Sequence, residues 1–255
     1  MFYFRIDGVR FVDNGGIKSG LGFFGHDFAK VKFLSFISRS DQNFPELDAW
    51  MQSNNPADKR TMLEALVNQT LSTRELTEID RVQDKVPVRF GDTGLILHES
   101  EEIPEAFTWI FLAIRSSRDI REAASDINDV LNAPDFSAFT SSLLSLIQGA
   151  SAVANPAYAA AIQAARFVAQ VSARRLMKKG DQQLGAVYES FIRPEHYPQG
   201  IREGRDVPDT TGNMFCDYSL FGYRRALPVL DEPKAKPKAK PKPKPTKRTK
   251  RKAKS

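Results

Sequence analysis

The chain has 255 residues, 37 Lys+Arg against 31 Asp+Glu for a formal net charge of +6, and 41% hydrophobic residues that include 18 Phe. That size and apolar content exclude a wholly disordered chain and suit one large folded body or two small ones. The single cysteine, Cys216, excludes an intramolecular disulfide and fits a reducing compartment.

The N-terminal run Met1–Asn14 alternates Phe2, Phe4 and Ile6 with polar positions, then resumes with Val9 and Phe11 after Gly8, the pattern of a strand. Arg5, Asp7 and Arg10 interrupt any long apolar stretch, so the segment does not read as a secretory signal. Phe2 stands where N-myristoylation needs glycine. A cytoplasmic location follows as the expectation, with export by a signal-peptide-independent route as the other possibility.

A glycine-rich connection holds Gly20, Gly22 and Gly25 in a literal G-x-G-x-x-G. A dinucleotide site needs a helix to start there, and a β-patterned run follows instead, so a hairpin connection is the better reading. Ala29–Arg39 reads as a second strand. Phe44–Lys85 is polar, and the spacing of Met62, Leu63, Leu66 and Val67 behind Pro56 predicts helix in pieces. Val86–Phe90 and Leu95–His98 read as strands around a Gly-Asp-Thr-Gly turn. Phe107–Ile114, FTWIFLAI, is a nearly unbroken apolar run and predicts a central strand.

The period then changes to helical. Ser116 or Ser117 can cap a helix that buries Ile120, Ala123, Ile127 and Val130. Phe136–Gln148 predicts a second helix. Asn155-Pro156 opens a long Ala-rich third one, with cations near its C-terminal end and Gly180 just past it. Phe136 to Ala165 holds no charged residue. Its arms are shorter than the ~20 apolar residues a span requires, so a hairpin buried against a sheet or a second copy is expected before a lipid-inserting one. Leu184–Arg193 and Met214–Tyr223 read as strands, and Pro194–Asn213 between them as a turn-rich loop.

Strands at both ends with clustered helices predict an α+β fold. The expected form is an antiparallel β-sandwich over residues 1–230, with helical insertions at roughly 45–84 and 117–179. The layout, especially the strands around Gly204–Gly222, resembles C2-type sandwich domains. Those domains carry a D-x-D calcium signature, and this chain has only Asp206-x-x-Asp209 there, so no calcium ligand is carried over from the resemblance. Asp206 and Asp209 stay as calcium candidates, together with acidic loops at predicted strand ends such as Asp13, Asp41 and Asp92. No cofactor is otherwise expected. The histidines His26, His98 and His196 lack metal-ligand spacing, and Cys216 inside a strand reads as a small buried hydrophobe.

Residues 231–255 differ in kind. Pro233–Ser255 holds twelve of the 37 basic residues and none of the 31 acidic ones, which leaves 25 against 31 in Met1–Glu232. Lys234, Lys236, Lys238, Lys240, Lys242 and Lys244 alternate with Pro or Ala, and Lys247, Arg248, Lys250, Arg251, Lys252 and Lys254 follow. Such a segment has nothing apolar to bury and reads as an extended, disordered cationic tail. It resembles the Lys/Ala/Pro-rich tails of linker histones and of some bacterial DNA-associated proteins. These twelve residues are the candidate polyanion-binding site, with nucleic acid as the expected partner and no base specificity, because no aromatic is interleaved. In a eukaryote Lys247–Lys252 would also serve as a nuclear localisation signal. The expectation is therefore a non-enzymatic binding or assembly protein, with a second copy of the chain as a further candidate partner. The alternative is a membrane-associated or secreted effector whose C2-like sandwich and apolar hairpin contact lipid.

Overall fold

The computed structural model of the chain describes residues 1–16, 28–40, 49–50, 52–136, 138–139, 141–143, 156–177 and 181–223. Two antiparallel sheets stack face to face, and helices cover the outer face of the second one. The fold is thus α+β with a sandwich-like arrangement, as the element pattern predicts.

The first sheet is built around β1 (Phe2–Phe11), which pairs on one side with β9 (Met214–Gly222). On its other side it pairs with β4 (Val88–Arg89) and β5 (Leu95–Ser100). β8 (Ile201–Pro208) extends the sheet beyond β9. The second sheet runs β3 (Glu75–Gln83), β2 (Phe28–Arg39), β6 (Ala106–Arg115), β7 (Gln182–Ile192).

Burial explains the two sequence textures. β1 alternates because one face meets the core and the other meets solvent: Phe2, Phe4 and Ile6 are buried while Tyr3 and Arg5 are partly exposed. β2 and β6 belong to the middle layer and are buried on both faces. Phe33, Phe107, Trp109 and Phe111 pack toward the first sheet, whereas Leu34, Phe36, Ile110 and Leu112 pack toward the helices. The apolar run of Phe107–Ile114 is the signature of that position. The Trp109 indole N–H donates to Ser35 Oγ at 3.0 Å, so the one polar atom of this ring is satisfied inside the core.

The helical layer consists of α1 (Pro56–Ser72), α2 (Ile120–Asn128) and α3 (Pro156–Leu176), with a 3-10 turn at Asp129–Asn132. A further short helix, α4, spans Arg193–His196. Asn55 Oδ1 caps α1 by accepting the Ala57 N–H at 3.0 Å. α2 is capped by Asp119, which accepts the Arg121 N–H at 2.7 Å, and not by Ser116 or Ser117. Ala123, Ile127 and Val130 are buried as predicted.

Two expectations are corrected. The helix predicted across 45–84 is confined, among the described residues of that range outside 49–52, to α1, and Glu75–Gln83 is a strand. ELTEIDRVQ misleads because it is an edge strand with mostly exposed charged side chains. A bulge at Asp80 and Arg81, which together face Lys30 of β2, also breaks its period of two. Pro194–Asn213 is not all loop: it contains α4 and β8, the latter an edge strand that ends on Pro208.

One ion pair sits inside this frame. Lys32 is fully buried; its ammonium lies 3.0 Å from Glu78 Oε2 and donates to the carbonyls of Ser116 and Arg118, at 3.1 and 2.6 Å. Lys30 reaches the other Glu78 oxygen at 2.7 Å. Burial pushes the Glu78 carboxyl up, but hydrogen bonds from Lys30 and Lys32 outweigh it and hold it below its ordinary value. A depressed carboxylate stabilises the fold above its unfolded pKa, and that contribution is lost as pH falls through the lower folded value. Acid unfolding of Glu78→Gln is therefore expected to show a shallower stability loss below about pH 4.3 than the parent. Lys32→Met is expected to cost about 2 kcal/mol in urea unfolding. Lys30 still neutralises Glu78, but the two carbonyls lose their donor.

Candidate functional site

All twelve tail residues, Lys234 to Lys254, lie outside the described residues, as do Asp41, His26 and the G-x-G-x-x-G segment. What the folded part displays is the solvent face of the first sheet, and two features of it stand out.

One is a polar groove of about 150 Å³ whose lining includes Asp7, Arg10, Arg89, Asp206, Phe215 and Asp217. Two bulges make it. On one side of β9, the register passes from Ile6↔Tyr218 to Gly8↔Asp217, so Asp7 is an extra residue in β1. On the other side it passes from Gly204↔Tyr218 to Val207↔Cys216, so Arg205 and Asp206 together face Asp217. Both neighbours of β9 thus bulge at Asp217, and the sheet is locally dished there. Asp206 adopts a left-handed backbone with φ 48°, held by its N–H donating to Asp217 Oδ1 at 2.8 Å. Arg10 pairs with Asp206 at 2.9 Å, and its guanidinium stacks 4.4 Å above the Phe215 ring. Asp7 accepts from Arg205 at 3.1 Å and pairs with Arg5 at 2.9 Å.

The other feature is a row of rings. Tyr3 stacks on Phe221 at 5.2 Å and on Tyr223 at 5.9 Å, with Arg5 over Phe221. The hydroxyls of Tyr3 and Tyr223 are 3.4 Å apart. That contact, followed by desolvation and the nearby Glu99, pushes the Tyr3 phenol up to about 12. Ile201 lies opposite Phe221 on β8 and is 61% exposed.

The calcium candidates separate. Asp206 belongs to the groove and faces Arg10. Asp209 is buried and is consumed by donors. Its Oδ1 accepts the N–H groups of Asn213 and Met214, at 3.0 and 3.1 Å, and its Oδ2 accepts the Ala186 N–H at 3.0 Å and the Thr211 hydroxyl at 2.8 Å. Asp13, Asp84 and Asn213 do gather at that end of the sandwich. There the Asn14 N–H donates to Asp84 at 2.6 Å, and Asn213 Nδ2 donates to the carbonyls of Asp13 and Leu184, at 2.9 and 2.7 Å. These groups act as ties between strands. Among the described residues no group of three or more His, Cys, Asp or Glu is arranged to hold a metal ion.

His98 packs against Phe2 and lies 3.4 Å from Arg39, and His196 Nδ1 accepts the Ile192 N–H at 3.0 Å. Cys216 is buried, and desolvation followed by the fields of Asp209 and Asp217 pushes its thiol far up. It is expected to resist a thiol-reactive reagent in the native protein and to react at full rate once urea unfolds the chain.

The described part of the uncharged stretch packs on the second sheet. Ala160, Ala164, Val168 and Leu176 of α3 are buried, and Phe167 stacks on Phe139 at 4.3 Å. Among the described residues no helix is long and apolar enough to cross a membrane.

Sequence reasoning missed the groove. Its one visible sign is Gly8, which breaks the alternation of β1 and restarts it in the opposite phase at Val9. No protein-family model matches this chain, and no curated protein matches it.

Proposed function

We propose that this chain is a non-enzymatic binding and assembly protein whose cationic C-terminal segment engages a polyanion, nucleic acid first, without regard to base sequence. The observation that carries this reading is the partition of charge. Twelve cations and no anion stand in Pro233–Ser255, against 25 basic and 31 acidic residues in the rest. A run of that kind is drawn to a phosphate backbone by counterion release, which ignores sequence. Burial of the apolar side of α3 against the second sheet favours this reading over lipid insertion, because that side of the helix is already occupied.

The test measures affinity for two duplexes of unrelated sequence across a salt series, with the full chain and with a chain ending at Glu232. The full chain is expected to bind both duplexes equally, and the shortened chain to lose that binding. Equal binding by the shortened chain would overturn the proposal. Dye release from anionic liposomes by the full chain, with no binding to either duplex, would move the reading to lipid.

A further inference from the structure

We infer that the outer edge of β8 docks a second copy of this chain, strand to strand, about a two-fold axis at Gly204. The ladder fixes which groups that edge offers. Met1 and Tyr223 exchange both backbone hydrogen bonds, at 2.9 Å each. By the same alternation Phe221 and Ser219 bond β1, so Leu220 and Tyr218 bond β8, where their partners are Arg202 and Gly204. Ile201, Glu203 and Arg205 therefore turn their N–H and C=O groups outward, while Asp206 turns its N–H back to Asp217. β8 ends its sheet, and among the described residues no further group bonds that outer row. The edge of β7 is treated differently: Asp209, Thr210 and His196 cover it.

Charge selects the occupant. The side chains of Glu203 and Arg205 stand exposed on the solvent face, 3.2 Å apart. Two antiparallel copies keep their faces matched only when the axis passes through a residue. Through Arg202, Glu203 or Arg205 the axis sets a charge against its own copy. Through Gly204 it sets Glu203 against Arg205 of the second copy, and Arg205 against its Glu203, at the ~5 Å Cβ spacing of facing pairs. These are also residues whose backbone groups point outward, so ladder and charge agree. The bulge puts Arg205 and Asp206 side by side, so the next pairs are Arg202 with Val207 and Ile201, 61% exposed, with Pro208. Arg10, 2.9 Å away, neutralises Asp206 there. Pro208 has no N–H to give, and pairing stops at it. Charges on an edge ordinarily repel other strands, and here the same sequence run backwards satisfies them. β3, which ends the second sheet, holds Glu75, Glu78 and Asp80 against Arg81 alone and would oppose like charges. An eight-residue edge makes a small contact, so the dimer is expected to come apart on dilution.

The test weighs the full chain by sedimentation equilibrium, without nucleic acid, over a dilution series from about 1 mM. A monomer–dimer equilibrium is expected, with amide exchange at Glu203 and Arg205 slowing as the dimer fills. Glu203→Arg and Arg205→Glu each turn both facing pairs into like charges. Each alone is expected to raise the dissociation constant at least about tenfold. Mixed in equal amounts, the two variants are expected to recover the parent's dimer, since every facing pair is then opposite again. Both positions are exposed, and unfolding midpoints near the parent's confirm that neither change acts through the fold. Arg205 also meets Asp7, so a lowered midpoint in Arg205→Glu leaves Glu203→Arg and the amide readout to decide. A chain that stays monomeric throughout the series overturns the inference. So does a dimer untouched by either reversal, or a mixture of two well-folded variants that fails to pair.

Discussion

Binding of the full chain to duplex DNA is expected to weaken with the logarithm of salt concentration at a slope on the order of −10. Each cation that neutralises a phosphate adds about −0.9 on a duplex and about −0.7 on a single strand, and the tail holds twelve. Replacing Lys234, Lys236, Lys238, Lys240, Lys242 and Lys244 by Gln removes half of them and should halve the slope on either substrate. This series separates two pictures that truncation alone cannot. If the tail lies along the polyanion, each lysine contributes and the slope scales with the number left. If only the cluster Lys247–Lys252 makes contact, the six replacements leave the slope where it was, and distributed neutralisation is wrong. The ratio of single-strand to duplex slope is a second check. The tail has no aromatic side chain to stack on unpaired bases, so that ratio should stay near the purely electrostatic value of about 0.8.

Legibility in the sequence followed how each residue's partners are distributed along the chain. β6 was readable because burial on both faces demands an unbroken apolar run, and FTWIFLAI supplies it. β1 was readable because one face is core and one is solvent. β3 and β8 were not, for one physical reason. An edge strand pairs on one side only, so much of its surface is wet, and its charged residues look like those of a helix or a loop. A bulge in each strand, at Asp80-Arg81 and at Arg205-Asp206, also breaks the period of two on which recognition depends. The groove was hidden because it is a product of register. Asp7, Arg89 and Asp217 are far apart in sequence, and nothing short of the pairing Arg89–Gly8–Asp217 brings them together. The acidic loops at the far end were visible as a group, but their chemistry was not. An aspartate that binds a cation and one that ties down backbone N–H groups have the same local sequence. The difference lies in donors from Ala186, Asn213 and Met214 that only the fold delivers.

Those donors make Asp209→Ala the most damaging single change expected in the folded part. Five hydrogen bonds end on this carboxylate, three of them from backbone N–H groups on β7, the β8–β9 turn and the start of β9. Alanine removes these acceptors at once and leaves the N–H groups of Ala186 and Met214 facing an apolar methyl, while the half-buried Asn213 N–H keeps only Thr211 Oγ1 at 3.3 Å. Each buried, unsatisfied donor costs about 1–3 kcal/mol, so a loss of about 3–5 kcal/mol in urea unfolding is expected, a large part of the ~5–15 kcal/mol typical of a domain. Asn213→Ala cuts the same knot from the other side, since Asn213 joins Asp13 and Leu184. The double variant should lose clearly less than the two single losses added together, because both residues serve one network. A second consequence concerns assembly. The outer edge of β7 is covered at Ala186 by Asp209 and Thr210 and at Ile192 by His196. Asp209→Ala uncovers the first of these and should raise edge-to-edge association, seen as concentration-dependent scattering before unfolding. Were Asp209 instead a calcium ligand, adding calcium or a chelator would move the unfolding midpoint of the parent. With both oxygens already accepting from the chain, the midpoint is expected to stay where it is, and a loss below about 1 kcal/mol in Asp209→Ala would mean that the carboxylate is not the tie between the two sheets.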